Sequence, residues 1–457
     1  MNIRIYTSEF KKNLQLAAPV MLGSLGHLLV GLIDDIMVGR LGPVSLAATS
    51  LGNSLVFIAL AIGIGFSLAI TPLIAESEGA GELGSGRRIF QHGLVLNSLM
   101  GLAMFGMLLL IKPVLYHLDQ PEEVVLLAIP YYEIVAISMI PLMVFQSYKQ
   151  FTDGLSQTRY AMYATVLANL LNVLLNWVLI YGLWFFPRLE IVGAAIGTLV
   201  SRVSMVFFIY WLLSGKDRFS PYMQWLRIHD FRLAELKKIL SLGFPTALQV
   251  LFEVGLFTAS VLLAGTFGAL AQAANQIALK LASTTFMIAV GLGAATTIRV
   301  GNQKGLKDFP ALRRIAFSNF MLIVVIMGSF SIGFLLFKDQ LPLMFTDNDT
   351  VIATASSLLV IAALFQLSDG LQAVVLGALR GLQDVKIPSL LTFVAYWLIG
   401  FPICYCLGLY LEWGPYGVWI GLLVALSASA AMLLLRFHFL SHKLIQKNHE
   451  LTRISTR

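Results

Sequence analysis

Apolar residues fill this chain in windows of about twenty, the length an α-helix needs to cross a hydrocarbon core. Six windows fall near 14–38, 51–75, 90–112, 125–148, 160–186 and 192–213, and six more near 240–266, 274–300, 313–337, 351–378, 387–410 and 415–440. No stretch alternates apolar and polar residues over about ten positions, as strands of a membrane barrel would. Short polar segments separate the windows, and the longest runs from Ser214 to Leu236. The pattern predicts an all-α polytopic membrane protein with about twelve transmembrane helices.

The pattern also repeats. Lys237-Lys-Ile-Leu-Ser-Leu-Gly-Phe-Pro245 restates Lys11-Lys-Asn-Leu-Gln-Leu-Ala-Ala-Pro19 at an offset of 226 residues. The register holds without a gap from Lys11–Ile89 against Lys237–Ile315, pairing Gly39 with Gly265, Gly65 with Gly291 and Arg87-Arg88 with Arg313-Arg314. Further on, Gly154-Leu155 answers Gly381-Leu382, and Gly193 and Gly197 answer Gly417 and Gly421. An even number of spans per half makes the repeats parallel, an arrangement in which transporters hold substrate between two lobes. The expected domains are a six-helix lobe at residues 1–213, a linker at 214–236 and a second six-helix lobe at 237–457.

Composition changes the picture in one respect, the solvent. With 457 residues, 58% of them apolar and 12% charged, and a mean hydropathy of +0.82, the chain must be dissolved in lipid. The net charge of +7 would otherwise suggest a polyanionic partner, but the basic residues sit in short loops, so no nucleic acid is expected. Of 31 Lys and Arg residues, Arg40, Lys112, Arg188 and Lys338 fall on one set of loops and Arg202 and Lys280 inside spans. All the others lie on the opposite set of loops or on the termini, Arg4, Arg227, Arg453 and Arg457 among them. The positive-inside rule then places both termini in the cytoplasm, and a cell (inner) membrane location is expected. The polar start, Met1 to Lys12, is unlike a removable signal peptide, so the first span is expected to stay. Cys404 and Cys406 have no His or acid nearby in sequence and are read as small core residues.

Polar groups inside the spans carry the candidate chemistry. An ionised side chain at the bilayer centre costs about 2.5–3.5 kcal/mol on insertion scales, so each is a candidate functional group. Asp34 and Asp35 lie toward the end of the first span, with Ile36, Met37 and Val38 continuing the apolar run. Adjacent helical residues point about 100° apart, and Asp34 is favoured over Asp35 as the inward one. Asn169, Asn172 and Asn176 form one stripe of the fifth span. Such amides serve as glue between helices, or their oxygens join a carboxylate to hold Na⁺ or shelter a proton. In the second half Gln249 and Glu253 share a face, as do Gln272, Gln276 and Lys280, and also Gln366 and Asp369. Lys280 is expected to pair with one of the two acids. Glu253 and Asp369, at similar depth, are expected to share one proton and titrate as a coupled pair.

Several of these segments resemble the multidrug and toxic compound extrusion (MATE) family across essentially the whole chain. They include Met37-Val-Gly-Arg-Leu-Gly-Pro-Val-Ser-Leu-Ala-Ala48, Phe151-Thr-Asp-Gly-Leu-Ser156 and Leu171-Asn-Val-Leu-Leu-Asn-Trp-Val-Leu-Ile-Tyr-Gly182. Leu242-Gly-Phe-Pro245, Ala273-Ala-Asn-Gln-Ile-Ala-Leu279 and Gly377-Ala-Leu-Arg-Gly381 belong with them, and Glu253 points to the bacterial NorM-type branch. The resemblance implies export of organic cations by antiport with Na⁺ or H⁺, with no other cofactor and no partner beyond the drugs and the bilayer; a monomer is expected. It implies Asp34, Asn172 and Asn176 as a first cation site and Glu253 and Asp369 as coupling and substrate acids. Asp35, Asn169, Gln276 and Lys280 are candidate modulators. Lys280 stands where a neutral residue is expected and favours protons over Na⁺ in the second half.

The alternative within transport is a flippase for lipid-linked saccharides, which usually carries a more cationic cavity and more spans. An enzyme is not indicated, since the chain has no HExxH, P-loop or nucleophile elbow. A passive channel would leave two lobes with unlike acids unexplained.

Overall fold

The computed structural model describes residues 6–118, 120–184, 186–224 and 232–455, apart from the side chains of His449 and residues 451–455. Arg4, Arg227 and Arg457 from the loop charges, and residues 225–231 of the expected linker, lie outside them, as does the side chain of Arg453. Twelve helices among the described residues are long and apolar enough to cross a membrane. They are α1 (Phe10–Gly39), α2 (Pro43–Gly79), α3 (Leu83–His117), α4 (Glu122–Gly154), α5 (Thr158–Tyr181) and α6 (Glu190–Ser214). After the linker come α7 (Leu233–Gly265), α8 (Ala269–Gly305), α9 (Phe309–Phe337), α10 (Asp349–Gly381), α11 (Lys386–Tyr410) and α12 (Gly414–Asn448). Every expected span is present. The helices outrun the apolar windows because hydropathy falls at the first charges while backbone hydrogen bonding continues. At 37 residues each, α2 and α8 are about 55 Å long, against a core of about 30 Å.

Repeated turn chemistry joins the helices. Gly42 before α2 and Gly268 before α8 have φ of 122° and 99°, a region open to glycine and strained for other residues. The close helix crossings repeat too. Thr71 Oγ1 donates to the Gln150 carbonyl at 3.1 Å, and Thr297 Oγ1 donates to the Gly377 carbonyl at 2.9 Å. Beside each bond a glycine, Gly154 or Gly381, lets the facing helix approach until an added Cβ would meet a backbone carbonyl at 3.0 or 2.9 Å.

The chain forms two compact units, Leu22–Ala247 and Met1–Met21 with Leu248–Arg457. Their boundaries fall inside α1 and α7, just past Pro19 and Pro245, the prolines within those helices, rather than at the 214–236 segment. The unit of residues 22–247 is packed around Tyr132, Phe66, Phe145 and Phe151, all fully buried, and the Tyr132 hydroxyl donates to the Leu108 carbonyl at 2.7 Å. It also holds the first turns of α7. Gly243 lies against Phe66, Phe244 meets the Phe66 ring edge-on at 5.6 Å, and Arg88 pairs with Glu235 at 3.6 Å.

The other unit holds the first turns of α1 in the equivalent way. Ala17 is buried in one apolar cluster with Leu292, Phe320, Leu433 and Phe437, and Gly291 lies against Ala17 and Met21. Arg314 pairs with Glu9 at 3.3 Å and Arg299 with Glu9 at 2.7 Å. Glu235 is the repeat of Glu9, and Arg314 the repeat of Arg88, so one ion pair occurs twice.

Candidate functional site

Each unit contains its own acid among buried polar side chains. In the unit of residues 22–247, Asn169, Asn172 and Asn176 of α5 are buried, as their spacing on one helical stripe requires. Asn176 Nδ2 donates to Asp34 Oδ1 at 2.7 Å and lies 3.4 Å from Asn172 Oδ1. The Asn176 oxygen is buried with no hydrogen-bond partner and presses on Gly197 of α6, where a Cβ would collide with it. Asn169, two turns away, faces Gly26 of α1, whose added Cβ would stand 3.2 Å from its Nδ2. Tyr181 Oη donates to the Met37 carbonyl at 2.9 Å, fastening α5 to α1 just beyond Asp34.

Asp35 is exposed, unlike the half-buried Asp34. Tyr131, which donates to Asn53 Oδ1 at 3.1 Å, lies within electrostatic reach of Asp34 and of Arg202. Arg202 itself donates to Ser138 Oγ at 2.7 Å. The structure therefore brings Asp34, Asn172 and Asn176 together and leaves Asp35 aside. A carboxylate with the Asn172 amide oxygen beside it is the start of an oxygen donor set that suits Na⁺, while the Asn176 oxygen is lodged against Gly197. Among the described residues no three His, Cys, Asp or Glu side chains gather as a transition-metal site would require.

In the other unit Glu253 is half-buried on α7 and positioned by packing on α11. Trp397 Nε1 donates to the Phe252 carbonyl at 3.3 Å, and Gly255 admits the Trp397 ring, 2.9 Å from where a Cβ would stand. Asp369 on α10 is buried, flanked by Gly370 against Met327 and by Ser368, which bonds Ser427 at 2.8 Å. Glu253 and Asp369 lie within electrostatic reach of one another. Tyr396 is reached by both acids and points its hydroxyl at Ser429 and Gln372, without closing a hydrogen bond of good geometry. It sits in a π-helical stretch, Val394–Gly400, a local widening that is frequent at functional sites. Asp369 Oδ1, Gln366, Gln372 Oε1 and Ser429 Oγ are also buried without partners. A group of polar atoms this unsatisfied suits a hydrated chamber.

The cation beside these acids differs from the expected one. Lys280 and Gln276 are exposed, while Asn275, Ala278, Ala282 and Thr285 form the buried face of α8. Lys280 makes no ion pair among the described residues. The charge that acts on Glu253 is Arg380, which sequence placed in a loop because the apolar window ends at residue 378. The helix continues to Gly381, and Arg380 Nη2 donates to Gln249 Oε1 at 2.7 Å. Its signal in the sequence is positional, for Arg380-Gly381-Leu382 repeats Asp153-Gly154-Leu155 with the charge reversed. Of the two cysteines, Cys404 is buried as expected and Cys406 is exposed on α11.

Comparison with known proteins covers both units. A family model described as MatE matches residues 19–178 and 245–406. The multidrug resistance protein NorM of Vibrio vulnificus (strain YJ016) is 32% identical over 452 residues, 97% of this chain and 99% of the relative. The probable multidrug resistance protein NorM of Rhizobium meliloti (strain 1021) is 34% identical over 440 residues, 94% of each chain. The crystal structure of the eukaryotic MATE transporter AtDTX14 superposes with a TM-score of 0.87 over 97% of this chain and 99% of its own, at 21% identity, and so shares the fold.

Proposed function

The chain belongs to the MATE family, in its NorM-type branch, and from that premise we propose that it exports organic cations by antiport with Na⁺ or H⁺. Membership makes it a multidrug efflux transporter of the membrane and not an enzyme; the coupling ion, the residues and the orientation are the proposal. The observation that carries it is the hydrogen bond of Asn176 to Asp34 at 2.7 Å, a carboxyl held in an apolar span.

Asp34 is the coupling carboxylate of the first half. Asn176 orients it, and Asn172 offers a further oxygen to Na⁺ or a polar neighbour to a proton. Glu253 and Asp369 serve the second half as the negative charges that attract an organic cation, with Tyr396 and the unpartnered amides hydrating them. Asn169, Asp35, Gln276 and Lys280 adjust these sites without forming them. Transport proceeds by alternating access in the inner membrane, both termini facing the cytoplasm. Binding of drug and of coupling ion oppose one another, since a ligand that favours one ionisation state disfavours the ion belonging to the other.

Everted membrane vesicles test this directly. Uptake of a cationic dye into the vesicle lumen, which is export in this orientation, should accelerate when Na⁺ or protons are concentrated inside the vesicles and stop when that gradient is collapsed. Dye movement at equal rates with neither gradient would make the protein a passive channel.

A further inference from the structure

Arg380 is held by one hydrogen bond, to Gln249, with its Nε buried and unpartnered. It follows Asp369 on α10 by 11 residues, about three helical turns, so the two share a face about 16 Å apart along the axis. Glu253, on the antiparallel α7, is in electrostatic reach of both. Gln249 stands one turn before Glu253 on the same face and accepts from Arg380 Nη2 at 2.7 Å. Gln249 is buried, and its own Nε2 lies 3.4 Å from Thr392 Oγ1 on α11. The guanidinium is thus held by a fixed amide, while its Nε is buried and unpartnered. No ion pair of Arg380 with an acid closes among the described residues.

A guanidinium bonded to a neutral amide keeps its whole charge available, and an apolar setting makes that charge act at longer range than in water. Leaving either a carboxylate or a guanidinium alone in such a place is costly, and each offsets the other. The amide holds the guanidinium one turn away from Glu253, where the two close no ion pair among the described residues.

We infer that Arg380 is a specificity-determining residue of the export reaction, a resident counter-cation that Gln249 holds one turn from Glu253, so that every incoming cation competes with it for the carboxylate. This rests on the proposed export of organic cations. It follows that affinity for cations is kept submaximal and release is aided, because Glu253 always keeps a counter-charge within electrostatic reach. A cation with large apolar area prevails over the guanidinium by burying surface that Arg380 cannot supply. A small hydrophilic cation has only its charge and loses.

The alternative is that Arg380 is a staple joining α10 to α7 and α11. Tetraphenylphosphonium binding to the purified full-length protein in nanodiscs, measured with its melting temperature, separates the two. Arg380→Gln should tighten binding about tenfold while slowing export, since mutating one member of a close charge set shifts affinity by that order or more. Gln249→Ala frees the guanidinium to close on Glu253 and should weaken binding at least about threefold. The double variant should follow Arg380→Gln, and Arg380→Lys should stay near wild type. A staple would instead lower the melting temperature in both single variants and move their affinities alike or not at all, which overturns the inference. If Arg380→Gln does not fold, Gln249→Ala decides alone: weaker binding at an unchanged melting temperature supports the inference, and unchanged binding overturns it. Failure of wild-type protein to bind or export any cationic dye would sink the transport reading itself, an outcome distinct from equal binding by wild type and Arg380→Gln.

Discussion

In the unit of residues 22–247 the acid, Asp34, receives a direct hydrogen bond from Asn176, and the unit's buried-span guanidinium, Arg202, is engaged elsewhere, on Ser138. In the other unit neither Glu253 nor Asp369 closes a hydrogen bond among the described residues, and a guanidinium acts on Glu253 at a distance. The repeat makes the contrast sharper. Position 27 of α1 is His where α7 has Glu253, and α7 has Ser260 where α1 has Asp34. The acid has moved by seven residues, about two turns, along the same helix. The partner helix changed with it. Gly197 receives the Asn176 amide, whereas its repeat, Gly421, receives Cys404. Duplication preserved the close glycine crossing and left the side chain lodged in it free to diverge from an amide to a thiol. One scaffold thus carries a hydrogen-bonded single carboxyl in one half and, in the other, a pair of carboxyls that close no hydrogen bond among the described residues.

The strongest way to break this comparison is Asp34→Asn. It keeps shape and removes the charge, and export should fall at least about a hundredfold, because a coupling cation at this site loses its charged partner, a loss of about 3–5 kcal/mol for a buried pair. Dye-accumulation assays with matched membrane levels check this, and wild-type export would make Asp34 an ordinary interfacial residue. Next comes Gly197→Ala, which fills the place of the Asn176 oxygen. Overpacking by one methyl costs about 1–3 kcal/mol, so export should drop about tenfold while substrate binding to the second half persists. Equal losses of both would mean that the whole unit was disturbed.

A third test compares the repeated ion pairs at the starts of α1 and α7. Glu9 meets two guanidinium groups, at 2.7 and 3.3 Å, whereas Glu235 meets Arg88 at 3.6 Å; the two carboxylates are similarly shielded, 12% and 16% exposed. Glu9→Gln should cost on the order of 2 kcal/mol of stability, and Glu235→Gln under about 1 kcal/mol, read from melting in detergent. Burial pushes the Glu9 carboxyl up, but the hydrogen bond and charge of Arg299, with Arg314 and Lys12, outweigh it and hold the group below its ordinary value. Its contribution is therefore complete above the ordinary carboxylate range and lost as pH falls through the lowered value. Glu9→Gln should flatten the acid limb of the melting-against-pH curve. The smallest effect belongs to Lys280→Gln. An exposed charge without an ion pair should alter export by less than about twofold, and a larger change would restore Lys280 to the site.

Much of this was legible in the chain. Twenty-residue apolar windows and the 226-residue repeat are written at a scale that side-chain detail does not disturb, so twelve helices and the duplication follow from them. The α5 stripe was legible because Asn169, Asn172 and Asn176 obey helical spacing on a helix whose other faces are apolar. The second half was harder. Lys280 sits at the depth of the acids, but depth does not give a face; Ala278 and Ala282 mark the buried side of α8, and Lys280 lies off it. Arg380 was hidden by the opposite error, since hydropathy ends a span at the first charge although the helix carries that charge inward. Tyr396 was invisible, because a π-helical stretch shifts the facing of residues by a fraction of a turn that no regular period describes.

The exchanged first turns of α1 and α7 bear on how such a chain is made and where it came from. The cluster that receives Ala17 contains Leu433 and Phe437 of α12, so the start of α1 waits until α12 has been made for the residues that bury it. An ancestor half as long would have met this contact by trading first helices with a second copy of itself, a swap of identical elements. Fusion of two such genes would turn that trade into an internal one. α12 completes the unit in which the first turns of α1 lie.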